Sequence, residues 1–163
     1  MTPEGVAQFR EEVERIKTRY PNPRSAIMAA LRLAQENHNG WLPPEALVEV
    51  AEAVGVTPAH AEAVASFYDM YNLEPVGRHI VEVCTNLSCA LVGAQQVVDA
   101  FEEQLGIGPG ETSDDGEITL RLVECAGGCG SAPVVILDGR FREPTRPEDV
   151  PAVVEGLRNG ARG

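Results

Sequence analysis

Val83-Cys84-Thr85-Asn86-Leu87-Ser88-Cys89 and Val123-Glu124-Cys125-Ala126-Gly127-Gly128-Cys129-Gly130 contain all four cysteines of a 163-residue chain. The spacing is C-x4-C, a 35-residue gap, then C-x3-C. Two close thiol pairs so far apart in sequence imply a fold that brings two loops together around one object. An iron–sulfur cluster of the [2Fe–2S] type takes four cysteines, and its core is wider than a single ion, so pairs separated by three or four residues suit it. A structural zinc also takes four thiolates, but its pairs usually come as C-x2-C. A dithiol oxidoreductase needs C-x-x-C at the end of a strand, and that motif is absent. The spacing favours the cluster, with structural zinc and thiol chemistry as the alternatives.

The flanking sequence places these pairs at strand ends. His79 to Cys84 is rich in β-formers, and Leu91 to Leu105 sets Leu91, Ala94, Val98, Phe101 and Leu105 on one helical face. Gly106 to Gly116 reads as a Gly/Asp loop. Glu117 to Val123 alternates Ile118, Leu120 and Leu122 against Thr119 and Arg121, as a half-buried strand does. Pro133 to Leu137 is a short apolar strand, Asp138-Gly139 a hairpin turn into Arg140-Phe141-Arg142, and Glu148 to Arg158 a closing helix. On this reading Cys84 and Cys125 end strands, while Cys89 stands just ahead of a helix whose unpaired N–H groups suit thiolates. Gly127, Gly128 and Gly130 allow a sharp turn and close backbone approach to sulfur, or simply a tight loop.

The first 75 residues have a different texture. Val6, Phe9, Val13 and Ile16 mark one face of a helix from Pro3 to Tyr20, with Thr2 as its cap. Ile27, Leu31 and Ala34 mark a second helix over Arg24 to Asn37, stopped at Asn39-Gly40. Leu47, Val50, Ala51 and Val54 mark a third, ended by Gly55. Thr57-Pro58 opens a fourth that runs to about Met70, with Val64, Phe67, Tyr68 and Tyr71 on its apolar side. Trp41, Phe67 and Tyr68 read as core or docking residues. Asn72 to Gly77 is the break between units. The fold class is therefore α+β: a helical bundle over residues 1–75, then a thioredoxin-like α/β domain over residues 76–163.

A net charge of −12 and a pI near 4.6 argue against nucleic acid, which needs clustered Lys and Arg. Lys17 is the only lysine. The N-terminus shows no charged stretch followed by an apolar run, and no segment approaches the ~20 apolar residues of a bilayer span, so a cytoplasmic setting without membrane insertion is expected. Gly106-Ile107-Gly108-Pro109-Gly110 follows a helix rather than a strand and fails as a phosphate cradle. His38, His60 and His79 are scattered, and no catalytic residue is evident.

Together, the two cysteine segments, Ala132-Pro133, Ala65-Ser66-Phe67-Tyr68 and Gly40-Trp41-Leu42 resemble the thioredoxin-like [2Fe–2S] subunit family (the E or 24 kDa type) of NADH:quinone oxidoreductase, respiratory complex I. The resemblance spans nearly the whole chain. It implies one [2Fe–2S] cluster held by Cys84, Cys89, Cys125 and Cys129, and electron transfer beside a flavoprotein partner that alone binds FMN and NADH. It also implies a place in the peripheral arm of a membrane complex, on the cytoplasmic side. Related modules occur in NAD-reducing hydrogenases and NAD-dependent formate dehydrogenases. The chain departs from the family pattern at Ala126-Gly127-Gly128 and Gly130, where Leu-Gly and a bulkier following residue are common; that bears on the packing around sulfur and hence on the potential.

Overall fold

Proline and glycine set the boundaries of the helical half. The computed structural model describes residues 3–160 and divides into two units, one running to Pro75 and one from Val76. In the first, α1 (Pro3–Lys17), α2 (Ile27–Asn37), α3 (Pro44–Val54) and α4 (Pro58–Phe67) pack around Phe9, Val13, Leu31, Leu42 and Val50, all at most 2 % exposed. Each such side chain contributes roughly 1.5–3 kcal/mol of burial free energy. Gly55 closes α3 in the left-handed region at φ 83°, and the Thr57 side chain accepts from His60 N at 3.2 Å to cap α4. The expected Thr2 cap lies outside the described residues.

Three sequence expectations change here. Helix α1 stops at Lys17 rather than Tyr20, and the segment before α2 is a 3-10 turn, Pro23–Ala26, capped by the Asn22 side chain. Helix α4 ends at Phe67 and buries Ala61 and Ala65, not its aromatics. Phe67 is 78 % exposed and Met70 57 %, so neither belongs to the core. Phe67 stacks edge-on against Tyr68 with ring centroids 5.0 Å apart. Tyr71 is the aromatic that goes inside, and its hydroxyl donates to Met28 O at 2.8 Å. The Asn72 amide group donates to Gly40 O at 2.7 Å, tying the turn after α2 to the end of the unit.

In the second unit β1 (His79–Cys84), β2 (Ile118–Val123), β3 (Val135–Leu137) and β4 (Arg140–Arg142) form one sheet in the order β2-β1-β3-β4. Strands β1 and β2 run parallel, while β3 is antiparallel to both β1 and β4. Parallel neighbours need a crossover, and it is supplied by α5 (Leu87–Leu91) and α6 (Ala94–Leu105). Helix α7 (Val150–Arg158) packs beside α6 and buries Val150, Val153, Val154 and Leu157. The fully buried Phe101 belongs to this core.

The single helix expected from Leu91 is two. Gly93, at φ 103°, breaks it, and Leu91 is 77 % exposed instead of joining the buried face of α6. Ile118 and Leu120 of β2 are buried as expected, but the alternation fails at Thr119 and at Leu122. Thr119 is buried, bonded to Thr112 at 2.8 Å and accepting from Gly77 N, while Leu122 is 45 % exposed on this sheet-edge strand. The Asp138-Gly139 hairpin turn forms as the sequence suggests, with φ of 50° and 80°. Asp138 does more than turn: its carboxylate takes His79 Nδ1 at 2.7 Å and Ile80 N at 2.9 Å, clamping the start of β1 to the β3–β4 turn.

Candidate functional site

The central strand carries the first cysteine to one end of the sheet. Cys84 is the last residue of β1 and is 2 % exposed; its N–H donates to Val134 O at 3.0 Å, so its position is set by the ladder. Cys89 is 1 % exposed and lies inside α5, not ahead of a long helix as its spacing from Leu91 suggests. The side chain of Asn86 starts that short helix by accepting from Leu87 N. Cys84 and Cys89 form a small buried cluster with Ala94 and Val134, against which Val123, Ala126 and Ala132 pack.

Cys125 and Cys129 lie past the end of β2 in a glycine-rich loop, and both are exposed. Cys125 follows the strand by two residues rather than ending it. The loop nevertheless reaches the buried pair. Burial pushes the Cys84 thiol up, but the Ala126 and Asn86 amides and the Cys89 thiol outweigh it and hold Cys84 below its ordinary value. Burial pushes the Cys89 thiol up; the Val134 amide opposes this, and the Cys84 and Cys129 sulfurs add to the rise. The Ala126 N–H reaches the Cys84 sulfur, and the Ala126 side chain packs on the buried Cys84–Cys89 cluster, so the second loop meets the first.

Gly127 turns the loop at φ 81°. Gly128 is required for space: a Cβ there would lie 2.5 Å from Glu143 Oε2 and 2.9 Å from Val134 Cγ2. Gly130 faces open space and has no such role. Gly128→Ala is therefore expected to displace the loop at a cost of about 1–3 kcal/mol and to speed iron loss to a chelator, with Gly130→Ala unchanged. Iron retained after timed dialysis against chelator measures it; equal retention in both variants would contradict the packing account.

The donor set fits a binuclear cluster. Among the described residues no group of three or more His, Cys, Asp or Glu side chains is gathered as one metal ion requires. Four free thiols in two close pairs are the number and type of donor that a [2Fe–2S] cluster takes. Comparison with known proteins agrees. Residues 13–158 match the family model described as thioredoxin-like [2Fe-2S] ferredoxin. The chain belongs to this family.

Relatives of this ferredoxin-family chain include the E subunit of the NADH-quinone oxidoreductase from Mycobacterium tuberculosis, 39 % identical over 96 % of this chain. The chain spans only 62 % of that relative's length. Subunit 2 of the Thermus thermophilus NADH-quinone oxidoreductase is 41 % identical over 92 % of this chain and 84 % of its own. The E 2 subunit of the Rhizobium meliloti NADH-quinone oxidoreductase is 40 % identical, covering 94 % and 91 %. Among solved structures, an NAD+-reducing [NiFe]-hydrogenase in its H2-reduced state shares the fold with a TM-score of 0.73, at 23 % identity over 82 % of this chain and 22 % of that one.

The remaining sequence candidates stay outside the site. The Gly106 to Gly110 run is a loop in which Gly108 N already donates to the Glu111 carboxylate at 2.7 Å, leaving no cradle for phosphate. His79 is engaged by Asp138 and lies at the opposite end of β1 from Cys84. Sequence reasoning missed the exposed apolar rim next to Cys89, where Leu87 is 70 %, Leu91 77 % and Val92 55 % exposed. Leu91 and Val92 line a cleft of about 580 Å³ together with Pro133, Pro144 and Arg146. It also missed Glu143, which no spacing rule connects to the cysteines and which only the β3–β4 hairpin returns to Gly128. Among the described residues no helix is long and apolar enough to cross a membrane.

Proposed function

We propose that Cys84, Cys89, Cys125 and Cys129 ligate the [2Fe–2S] cluster of this chain, and that the chain is an electron-transfer subunit of an NADH:quinone oxidoreductase. The observation that carries the ligand assignment is the meeting of the 125–129 loop with the buried Cys84–Cys89 pair. The assignment to the complex draws on relatives of about 40 % identity that bear that name. The hydrogenase likeness contributes the shared fold only.

When bound, the cluster supplies one-electron transfer at a potential set by its charge, its N–H contacts and its exposure. The chain's own residues do the rest. The ladder around β1 holds Cys84 and Val134 in place, and α5 holds Cys89, so one thiol pair is shielded from water. Cys125 and Cys129 leave the other side open to a partner. Amides of Ala126 and Asn86 offset the negative charge of the Cys84 thiolate. The partner in this reading is the FMN- and NADH-binding flavoprotein, in the peripheral arm on the cytoplasmic side of the membrane. The helical unit docks against it and this chain has no substrate site of its own.

Anaerobically prepared full-length chain is expected to hold about two irons and two acid-labile sulfides and to give an S = 1/2 EPR signal on reduction. On a protein of net charge −12, a low midpoint is expected, of the order of the ~ −400 mV of plant-type ferredoxins. A chain without iron and sulfide, or a midpoint well above zero, would contradict the reading.

A further inference from the structure

Glu143 is returned to the cysteine loop by the β3–β4 hairpin. Strand β4 ends at Arg142, and the fully buried Thr145 pins the turn that follows: its N–H donates to Pro133 O at 2.9 Å and its hydroxyl to Arg142 O at 2.8 Å. Between these anchors the Glu143 carboxylate lies over Gly128, so close that a Cβ on that glycine would be 2.5 Å from Oε2. Gly128 adjoins Cys129 and is three residues from Cys125. Among the described residues no Lys, Arg or His forms an ion pair with Glu143. A carboxylate with no ion-pair partner among the described residues is therefore held at the bend between two of the four thiols.

We propose that Glu143 lowers the electron affinity of the centre through its charge, and that it acts from above Gly128 without touching iron. The inference rests on the ligand assignment made above. Reduction adds one negative charge to the group the cysteines hold, and a like charge nearby opposes that addition. The buried side of the site, lined by Val134, Ala94 and Ala132, has little polar material to screen it. The carboxylate itself is solvent-exposed, so part of its field is screened by water and the remainder weakens with salt. A glutamine of the same shape removes the charge and keeps the packing over Gly128, which separates electrostatics from structure. Glu143 is thus a tuning residue; of the two glycines before Cys129, the first turns the chain and the second leaves room for the buried Val134 and for the carboxylate.

The test is a spectroelectrochemical titration of the full chain with its cluster, as wild type, E143Q and the control E103Q, whose exposed carboxylate lies on α6. Iron, sulfide and the visible spectrum are measured alongside. E143Q is expected to retain the cluster and to raise the one-electron reduction constant about tenfold at low ionic strength, a shift of roughly +59 mV. The shift should shrink in 1 M salt, where the screening length falls to about 3 Å, and E103Q should match wild type. An E143Q midpoint equal to wild type with the cluster intact would overturn the proposal. Loss of the cluster from E143Q would also overturn it, by making Glu143 a prop for the loop. A wild-type chain that holds no iron would instead fail the ligand assignment, and this proposal with it.

Discussion

Cys84→Ala is expected to give a folded chain that holds no cluster. Cys84 is 2 % exposed at the end of the strand flanked on both sides by others, and its backbone is fixed by its N–H bond to Val134 O and by register with Val123. Alanine fits that position without disturbing the ladder, because the surrounding residues are small or already packed: Ala94, Ala126, Ala132 and Val134. What alanine lacks is a ligand atom. Three thiols remain and one iron is left without its full set, so iron and sulfide should fall from about two each per chain to background. Far-UV circular dichroism of the iron-free chain should match wild type treated the same way. A Cys84→Ala chain that keeps full iron and sulfide would remove Cys84 from the ligand set. Cys125→Ala should lose the cluster equally, with less effect on the stability of the iron-free chain, since its side chain is exposed.

The second large effect is on association. Phe67 and Met70 stand out of the helical unit at 78 % and 57 % exposure, with Tyr68 edge-on to Phe67. Exposed large apolar side chains are typical of contact sites, and aromatic anchors dominate such contacts. The double substitution Phe67→Ser, Met70→Ser removes no core side chain, so the fold and the cluster spectrum should persist. Binding to the flavoprotein partner proposed above is expected to weaken by at least tenfold, and co-purification should fail. Measured affinities equal to wild type would show that the helical unit docks elsewhere or not at all. Loss of the cluster with association retained would reverse the roles given to the two units.

Much of this was legible in the chain itself. The four cysteines are the whole cysteine content, and their paired spacing points to two loops meeting; in the structure Ala126 of the second loop packs on the buried Cys84–Cys89 cluster of the first. Helix and hairpin boundaries marked by Gly55, Thr57-Pro58 and Asp138-Gly139 follow from local backbone chemistry and were readable for that reason. Where the reading missed, tertiary context had overridden pattern. Phe67 extends the helical face of α4 by spacing, yet the helix ends there and the side chain turns out. Leu91 matches the stripe of α6, but Gly93 rotates the preceding turn away from it. Thr119 is buried by its bonds to Thr112 and Gly77, against the alternation of β2. Glu143 carried no signal at all, because its relation to Gly128 arises from a hairpin closing back on a loop 15 residues earlier.

The position of β1 inside the sheet has a consequence for how the site comes apart. This strand is hydrogen-bonded to β2 on one side and β3 on the other, and its far end is held by the His79–Asp138 clamp. Freeing Cys84 would mean parting two ladders at once, a fluctuation close in cost to unfolding the whole unit, whereas the 125–129 loop can fray alone. Cys84 therefore shares the lifetime of the native state, whereas Cys125 and Cys129 sit on the segment that can open without it.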